Sequence, residues 1–220
     1  MIVTLAEVEI YAKRGLAGRG APPGIDEDAA ASAAWLESRG LPALAVLLAI
    51  LDGHPITLRP PEGSGSNLDA GGQSAILLGG ALIDQAVASA ADSLTVAQLA
   101  DPIYLLPLAD RRRRAGWCFS LRWGNGLGAA LDRDGGIALS GETDVLAEPG
   151  PVTVVIACRR DAQTEAATSH DLARKRSRTL ATGLTVDDAH WRRLGEHAAS
   201  ALVPASDESR VRGAGWSGSQ

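Results

Sequence analysis

The sequence predicts an α+β fold, with N-terminal helices and an Ala-rich helix packed on an antiparallel meander sheet and a C-terminal helix closing an edge. Three observations predict it. Helical signals dominate the chain up to about Asp92, and apolar alternation with a period of two takes over from about Ile103. The alternating segments are joined by Asn-Gly and Asp-Gly turns, which favour antiparallel neighbours. Helices segregated ahead of strands argue against a doubly wound sheet.

Taken in order, Thr4 and Glu7 form a Thr-x-x-Glu capping box that starts a helix over Leu5 to Leu16, ended by "GRGAPPG". Acids in "IDEDAA" sit where the helix dipole favours them, and that second helix runs through Trp35 and Leu36 to Gly40. "PALAVLLAILDG" carries Pro in its first turn and Gly53 at its end, the asymmetry expected of helix termini. "HPITLRPPEGSGSNLDAGGQ" is read as a loop with a short strand at Ile56 to Leu58. The Ala-rich window from Ser74 to Asp92 is a buried helix in which Gly79 and Gly80 admit another backbone, and "TVAQLA" is read as a short helical turn. "WCFSLRW" then alternates as a half-buried strand with Trp117, Phe119, Leu121 and Trp123 on one face. "LGAALDR", "IALS" and "PVTVVIACRR" complete a sheet of about four or five strands. "RRDAQTEAATSHDLARKRSR" reads as loop or polar helix, and "TVDDAHWRRLGEHAASAL" as the last helix. Residues 1–203 are expected to form one domain and 204–220 an irregular tail.

With 45% hydrophobic residues but 4% aromatics, the core must be built from Ala, Leu, Val and Ile, so helices pack closely. A net charge of -5 argues against general attraction to nucleic acid or anionic lipid. Two cysteines in no pairing motif suit a reduced compartment, and the opening "MIVTLAEVEIYAKRG" lacks the features of a secretion signal. A cytoplasmic protein without a membrane span is expected.

Four consecutive arginines, Arg111, Arg112, Arg113 and Arg114, precede the strand that carries Trp117 and Arg122. Guanidinium groups beside aromatic rings suit capture of a carboxylate or phosphate. Read along a strand entry, at most two of the arginines face one way, and the competing reading is a solvated strand edge. "GNGLGAA" matches G-x-G-x-x-A, but a turn at "DRDGG" follows where a helix should open, so a hairpin is expected. Cys118 and Cys158 read as small hydrophobes. His190 and His197 share a helix face without metal-grip spacing, "SHD" at 169–171 cannot act as a triad of neighbours, and "ARKRSR" at 173–178 lacks interleaved aromatics. No resident cofactor or metal is implied.

Two stretches, "TLAEVEIYAKRGLAGRGAPPGIDEDAAASAAWLESRGL" around Trp35 and the closing "VPASDESRVRGAG" with Pro204 to Arg210, resemble a bacterial family known only as a domain of unknown function, of roughly this length. "GWSGSQ" departs from the acidic finish of that family. The resemblance implies no activity, only company with catabolic enzymes for small acids or amides. The expectation is an enzyme or accessory subunit of small-molecule catabolism binding an anionic metabolite through Arg111 to Arg114, Trp117 and Arg122. The alternative is a non-catalytic oligomeric or partner-binding protein, a homo-oligomer in either case.

Overall fold

In the computed structural model, residues 1–53, 56–89, 91–124, 126–132, 134–141, 150–160 and 170–201 are described. The tail and the Ser-His-Asp serine lie outside them, as does His54.

Strand β1 (Ile2–Val3) leads into α1 (Leu5–Gly18), and the capping box is present: the Glu7 amide donates to Thr4 Oγ1 at 3.1 Å and the Thr4 amide to Glu7 Oε2 at 2.7 Å. Helices α2 (Ile25–Glu37) and α3 (Ala43–Asp52) follow as expected. Glu37, the last residue of α2, reaches forward to cap α3, its Oε1 accepting the amides of Ala43 at 2.9 Å and Leu44 at 2.7 Å. Those donors are orphaned at any helix start.

Burial holds the Glu37 carboxyl above its ordinary value, with the two amides and His190 pulling it partly back. The folded state therefore keeps the proton more tightly than the unfolded chain. Stability falls as pH rises from the ordinary 4.5 through the folded value. Glu37→Gln keeps an oxygen acceptor and removes the charge, so it should raise the thermal midpoint at pH 7 and flatten the decline above pH 4.5. Scanning both proteins by calorimetry across this range checks it, and a lower midpoint for the variant at pH 7 would contradict it.

Strands β2 (Glu62–Ser64) and β3 (Asn67–Asp69) occupy the Pro/Gly-rich segment, and Ile56 to Leu58 is not a strand. Helix α4 (Ala75–Ala88) is the Ala-rich helix, started by Ser74, whose hydroxyl accepts from the Ile76 amide at 3.0 Å. Strand β4 (Ser93–Leu99) replaces the helical turn expected at "TVAQLA". Its buried Leu94, Val96 and Leu99 are claimed by partners distant in sequence, parallel β3 and antiparallel β8 (Val152–Arg160). A register shift between Val96 and Leu99 accommodates Gln98, at φ 49°.

The arginine run, too, lies elsewhere than the sequence suggests. After a 3₁₀ turn at Pro102–Tyr104 comes α5 (Leu105–Arg113), so the run lies on the last turn of a helix and not at a strand entry. Pro107 sits in the first turn, where its missing N–H has no intrahelical partner to lose. Arginines in the last turn complement the helix dipole. Alternation begins only at β5 (Trp117–Trp123), followed by β6 (Gly128–Leu131) and β7 (Ile137–Ser140). The chain ends, among described residues, with α6 (His170–Thr182), β9 (Leu184–Thr185) and α7 (Asp188–Ser200).

The main sheet has seven strands in the order β2-β3-β4-β8-β5-β6-β7, more than expected. Only β5, β6 and β7 form a meander, since β8 returns to the middle and β3 runs parallel to β4. The register aligns Val96, Val154 and Trp123 in one row and Leu94, Ile156, Leu121 and Ala129 in the next, all buried. Each such aliphatic side chain contributes about 1.5–3 kcal/mol when taken from water. Ser120 and Arg122 on the opposite face are exposed.

Helices α4 and α5 pack on the sheet, α2 packs on both of them, and α1 and α3 pack on α2. Helix α7 lies on α1 and α3 and does not close the large sheet's edge, while β9 pairs with β1 in a separate two-stranded ribbon.

Candidate functional site

Where α2, α4 and α5 meet, two adjoining hollows of about 630 Å³ and about 250 Å³ share Asp28, Gly80, Asp84 and Leu108. The larger is walled by apolar groups of α2 and α4, including Ile25, Ala29, Ile76 and Leu77, and roofed by Leu58, Arg59, Pro60 and Pro61 of the loop before β2. Its floor holds Tyr104, fully buried, whose Oη donates to the Ala43 carbonyl at 3.0 Å. Burial raises that phenol well above its usual range, so it keeps its proton.

Two polar groups in the cleft are uncommitted. Ser32 is 1% exposed, and its Oγ has no hydrogen-bond partner among the described residues. Leaving a buried hydroxyl unpaired costs about 1–3 kcal/mol. Arg59, exposed and lining the larger hollow, pairs with no described carboxylate, while its backbone is pinned by Gln73 at 2.8 Å and 2.7 Å.

The smaller hollow receives Arg111 and Arg112. Arg111 pairs with Asp28 of α2 and Arg112 with Asp84 of α4, so the last turn of α5 is tied to both walls. These pairs are about half exposed and contribute little to stability. Arg113 points the other way, its Nε donating to buried Asp110 at 2.8 Å. Arg114 is the exposed C-cap residue. Trp117 is half-buried beneath Arg160, whose guanidinium carbon lies 5.0 Å from the ring centroid, and Arg122 is on the exposed sheet face. Of six residues singled out from sequence, the structure therefore brings Arg111 and Arg112 to the cleft and disperses the other four.

Arg59, Ser32 and Gly80 were not singled out as site residues. The one sequence signal was the Gly79-Gly80 pair inside a helix. Gly79 makes room for side chains and not for a backbone: a Cβ there would lie 2.6 Å from Leu108 Cδ1 and 3.4 Å from Leu105 Cδ2. A Cβ on Gly80 would meet nothing within 4 Å.

The remaining candidates resolve simply. The G-x-G-x-x-A segment runs into β6, a strand paired antiparallel to β5, as the hairpin reading expects. Cys118 and Cys158 are unbridged, and the Cys158 thiol donates to the Ala86 carbonyl at 3.1 Å while burial pushes its pKa up, away from nucleophile character. His197 is buried against Asp52, Nε2 to Oδ1 2.8 Å, and this bond with Arg193 holds the Asp52 carboxyl below its ordinary range. No three His, Cys, Asp or Glu side chains among the described residues are placed to hold a metal ion. No helix among them is long and apolar enough to cross a membrane.

Comparison with solved structures finds the same fold in enzymes of low sequence identity. Δ1-piperideine-2-carboxylate reductase from Pseudomonas syringae pvar. tomato is 14% identical with a TM-score of 0.57, over 90% of this chain and 99% of that one. Malate dehydrogenase from Pyrococcus horikoshii is 11% identical with a TM-score of 0.63, over 92% and 96%. Sulfolactate dehydrogenase from Methanocaldococcus jannaschii is 10% identical with a TM-score of 0.54, over 91% and 97%. No curated protein matches the sequence. Residues 3–80, which carry α2, the Arg59 loop and α4 as far as Gly80, match the family described as Protein of unknown function (DUF3726), so the resemblance seen in the opening stretch is to an uncharacterised family.

Proposed function

We propose that the protein binds a small carboxylate with an apolar body in the cleft between α2, α4 and α5, as an enzyme or accessory subunit of small-acid metabolism. The observation that carries this reading is the meeting, at one apolar cleft, of a buried hydroxyl with no partner among the described residues and an exposed arginine that pairs with no described carboxylate. Ligand sites are mostly apolar with a few placed polar groups. A carboxylate on Arg59 gains a charge-assisted bond, the apolar body lies against Ile76 and Leu77, and Ser32 pairs with a polar atom at the far end. Arg111 and Arg112, held by Asp28 and Asp84, set the cleft's width at its narrower end. The similar solved structures named above are called after malate, sulfolactate and a piperideine carboxylate, which supports a small carboxylate at the level of analogy between folds.

The competing reading, a non-catalytic oligomeric or partner-binding protein, is the one left standing if the cleft takes no ligand; one face of α4 packs within the chain against α2, α5, β4 and β8, and the other carries exposed Ala81, Asp84 and Gln85.

The test is the thermal midpoint against a panel of carboxylates, amides and phosphates. The best carboxylate should raise the midpoint of the unaltered protein, and Arg59→Ser should weaken its apparent affinity about tenfold, the size of one charge-assisted bond. Ser32→Ala should raise stability in the absence of ligand and weaken binding. A panel with no carboxylate response, or an Arg59→Ser variant that responds as the unaltered protein does, would remove this reading.

A further inference from the structure

The basic cluster on α6 borders a second hollow, remote from the cleft. About 150 Å³ is enclosed near the C-terminal end of α2, the turn between β6 and β7, and α6, lined by Arg39, Arg176, Ser177 and Gly135. Ser32 of the cleft lies inside α2, whereas Arg39 follows the C-cap Ser38, and the two hollows share no lining residue.

Arg39 is 9% exposed, and its guanidinium carbon lies 3.7 Å over the Trp35 ring. Its Nη1 donates to the Trp35 carbonyl at 3.0 Å and to Ser38 Oγ at 3.1 Å, while Nε and Nη2 donate to no described residue. The nearest counter-charge is already committed: Asp110 gives Oδ1 to Arg113 and Oδ2 to the Trp35 indole N–H at 2.9 Å. Asp110, Arg113 and Arg176 all lie close enough to act on Arg39 electrostatically, only Arg113 pairs directly with Asp110, and no described carboxylate lies within ion-pair distance of Arg39 or Arg176. Burial first, then repulsion from Arg176 and Arg113, pulls Arg39 down to about 10, so it remains charged at neutral pH in a place that disfavours charge. Gly135, at φ 112°, closes the rim so tightly that a Cβ would lie 3.0 Å from Arg113 Nη1.

We propose that this hollow binds a phosphate-type oxyanion, held by the free edge of Arg39 from within and by Arg176 and the Ser177 hydroxyl from the rim. Two forked donors suit a tetrahedral oxyanion. A doubly charged one offsets the local excess of two positive charges, which a single carboxylate does not. The volume admits phosphate or the head of a small phosphomonoester. Arg174 and Lys175, by contrast, are engaged by Asp171 on the same helix, so the basic run presents a single pit more than a stripe for a polymer.

The experiment is the thermal midpoint of the full chain against inorganic phosphate and, separately, glycerol phosphate, with sodium chloride holding the ionic strength constant. A saturable rise is expected with at least one of the two, and Arg176→Gln, an exposed position whose loss leaves the core intact, should weaken it about tenfold. Arg59→Ser should leave it unchanged, which separates this site from the cleft. A response to both probes assigns a phosphomonoester, and a response to phosphate alone assigns the free anion. A rise that chloride reproduces, one that Arg176→Gln leaves intact, or no rise at all would overturn the proposal.

Discussion

Asp110→Ala should destabilise the protein by about 3–5 kcal/mol, the range for breaking a buried ion pair from one side. The carboxylate is 5% exposed and both of its oxygens are used, one by Arg113 and one by the Trp35 indole. Removing it leaves the Arg113 side chain, 15% exposed, without a partner, leaves Trp35 with an unpaired N–H, and strips Arg39 of its nearest negative charge. For a chain of this size the midpoint should fall by about 6–20 °C, at about 2–4 °C per kcal/mol. Asp28→Asn is the control. It breaks an ion pair to the same arginine run, yet Asp28 and Arg111 are about half exposed, so the change should stay within about 1 kcal/mol. Urea melts of the two variants compare these costs directly. Equal small effects would mean that Asp110 is not the counter-charge that holds α5 against α2.

That contrast also shows where sequence reasoning stops. The capping box of Thr4 and Glu7 is local, so it is legible, as are the acids that begin α2 and the alternation of β5. The run at Arg111 to Arg114 looks uniform in sequence, yet the helix sends Arg111 and Arg112 to the cleft and Arg113 to a buried carboxylate. Pro107 and the short apolar run before it concealed that helix. Strand β4 is hidden for a different reason: its identity comes from pairing with β3 and β8, and no local propensity encodes a parallel neighbour. The cleft itself is assembled by three helices and a loop. Ser32 is one small residue among alanines, and Arg59 stands in a Pro-rich stretch with no periodicity, so neither carries a signal until tertiary packing makes one a buried hydroxyl and the other a rim charge.

Gly80 gives the sharpest separation of stability from binding. A glycine inside a helix is less favourable than alanine by about 1 kcal/mol. At Gly79 the packing of Leu105 and Leu108 accounts for it, but at Gly80 a Cβ meets nothing, because that side of α4 opens onto both hollows. Gly80→Ala should therefore raise the midpoint by about 2–4 °C. Gly80→Leu should fold with stability within about 1 kcal/mol of the unaltered protein, since leucine is also a good helix former and its side chain enters the hollow instead of the core. Its effect on a ligand should be far larger. A carboxylate present at a hundred times its dissociation constant stabilises the unaltered protein by about 2.7 kcal/mol, and Gly80→Leu should abolish that increment by occupying the space. Loss of the response in a protein that melts normally would place the ligand in the cleft by exclusion. A response that survives Gly80→Leu would place it elsewhere, and a drop in stability on Gly80→Ala would mean that the glycine is there for packing after all.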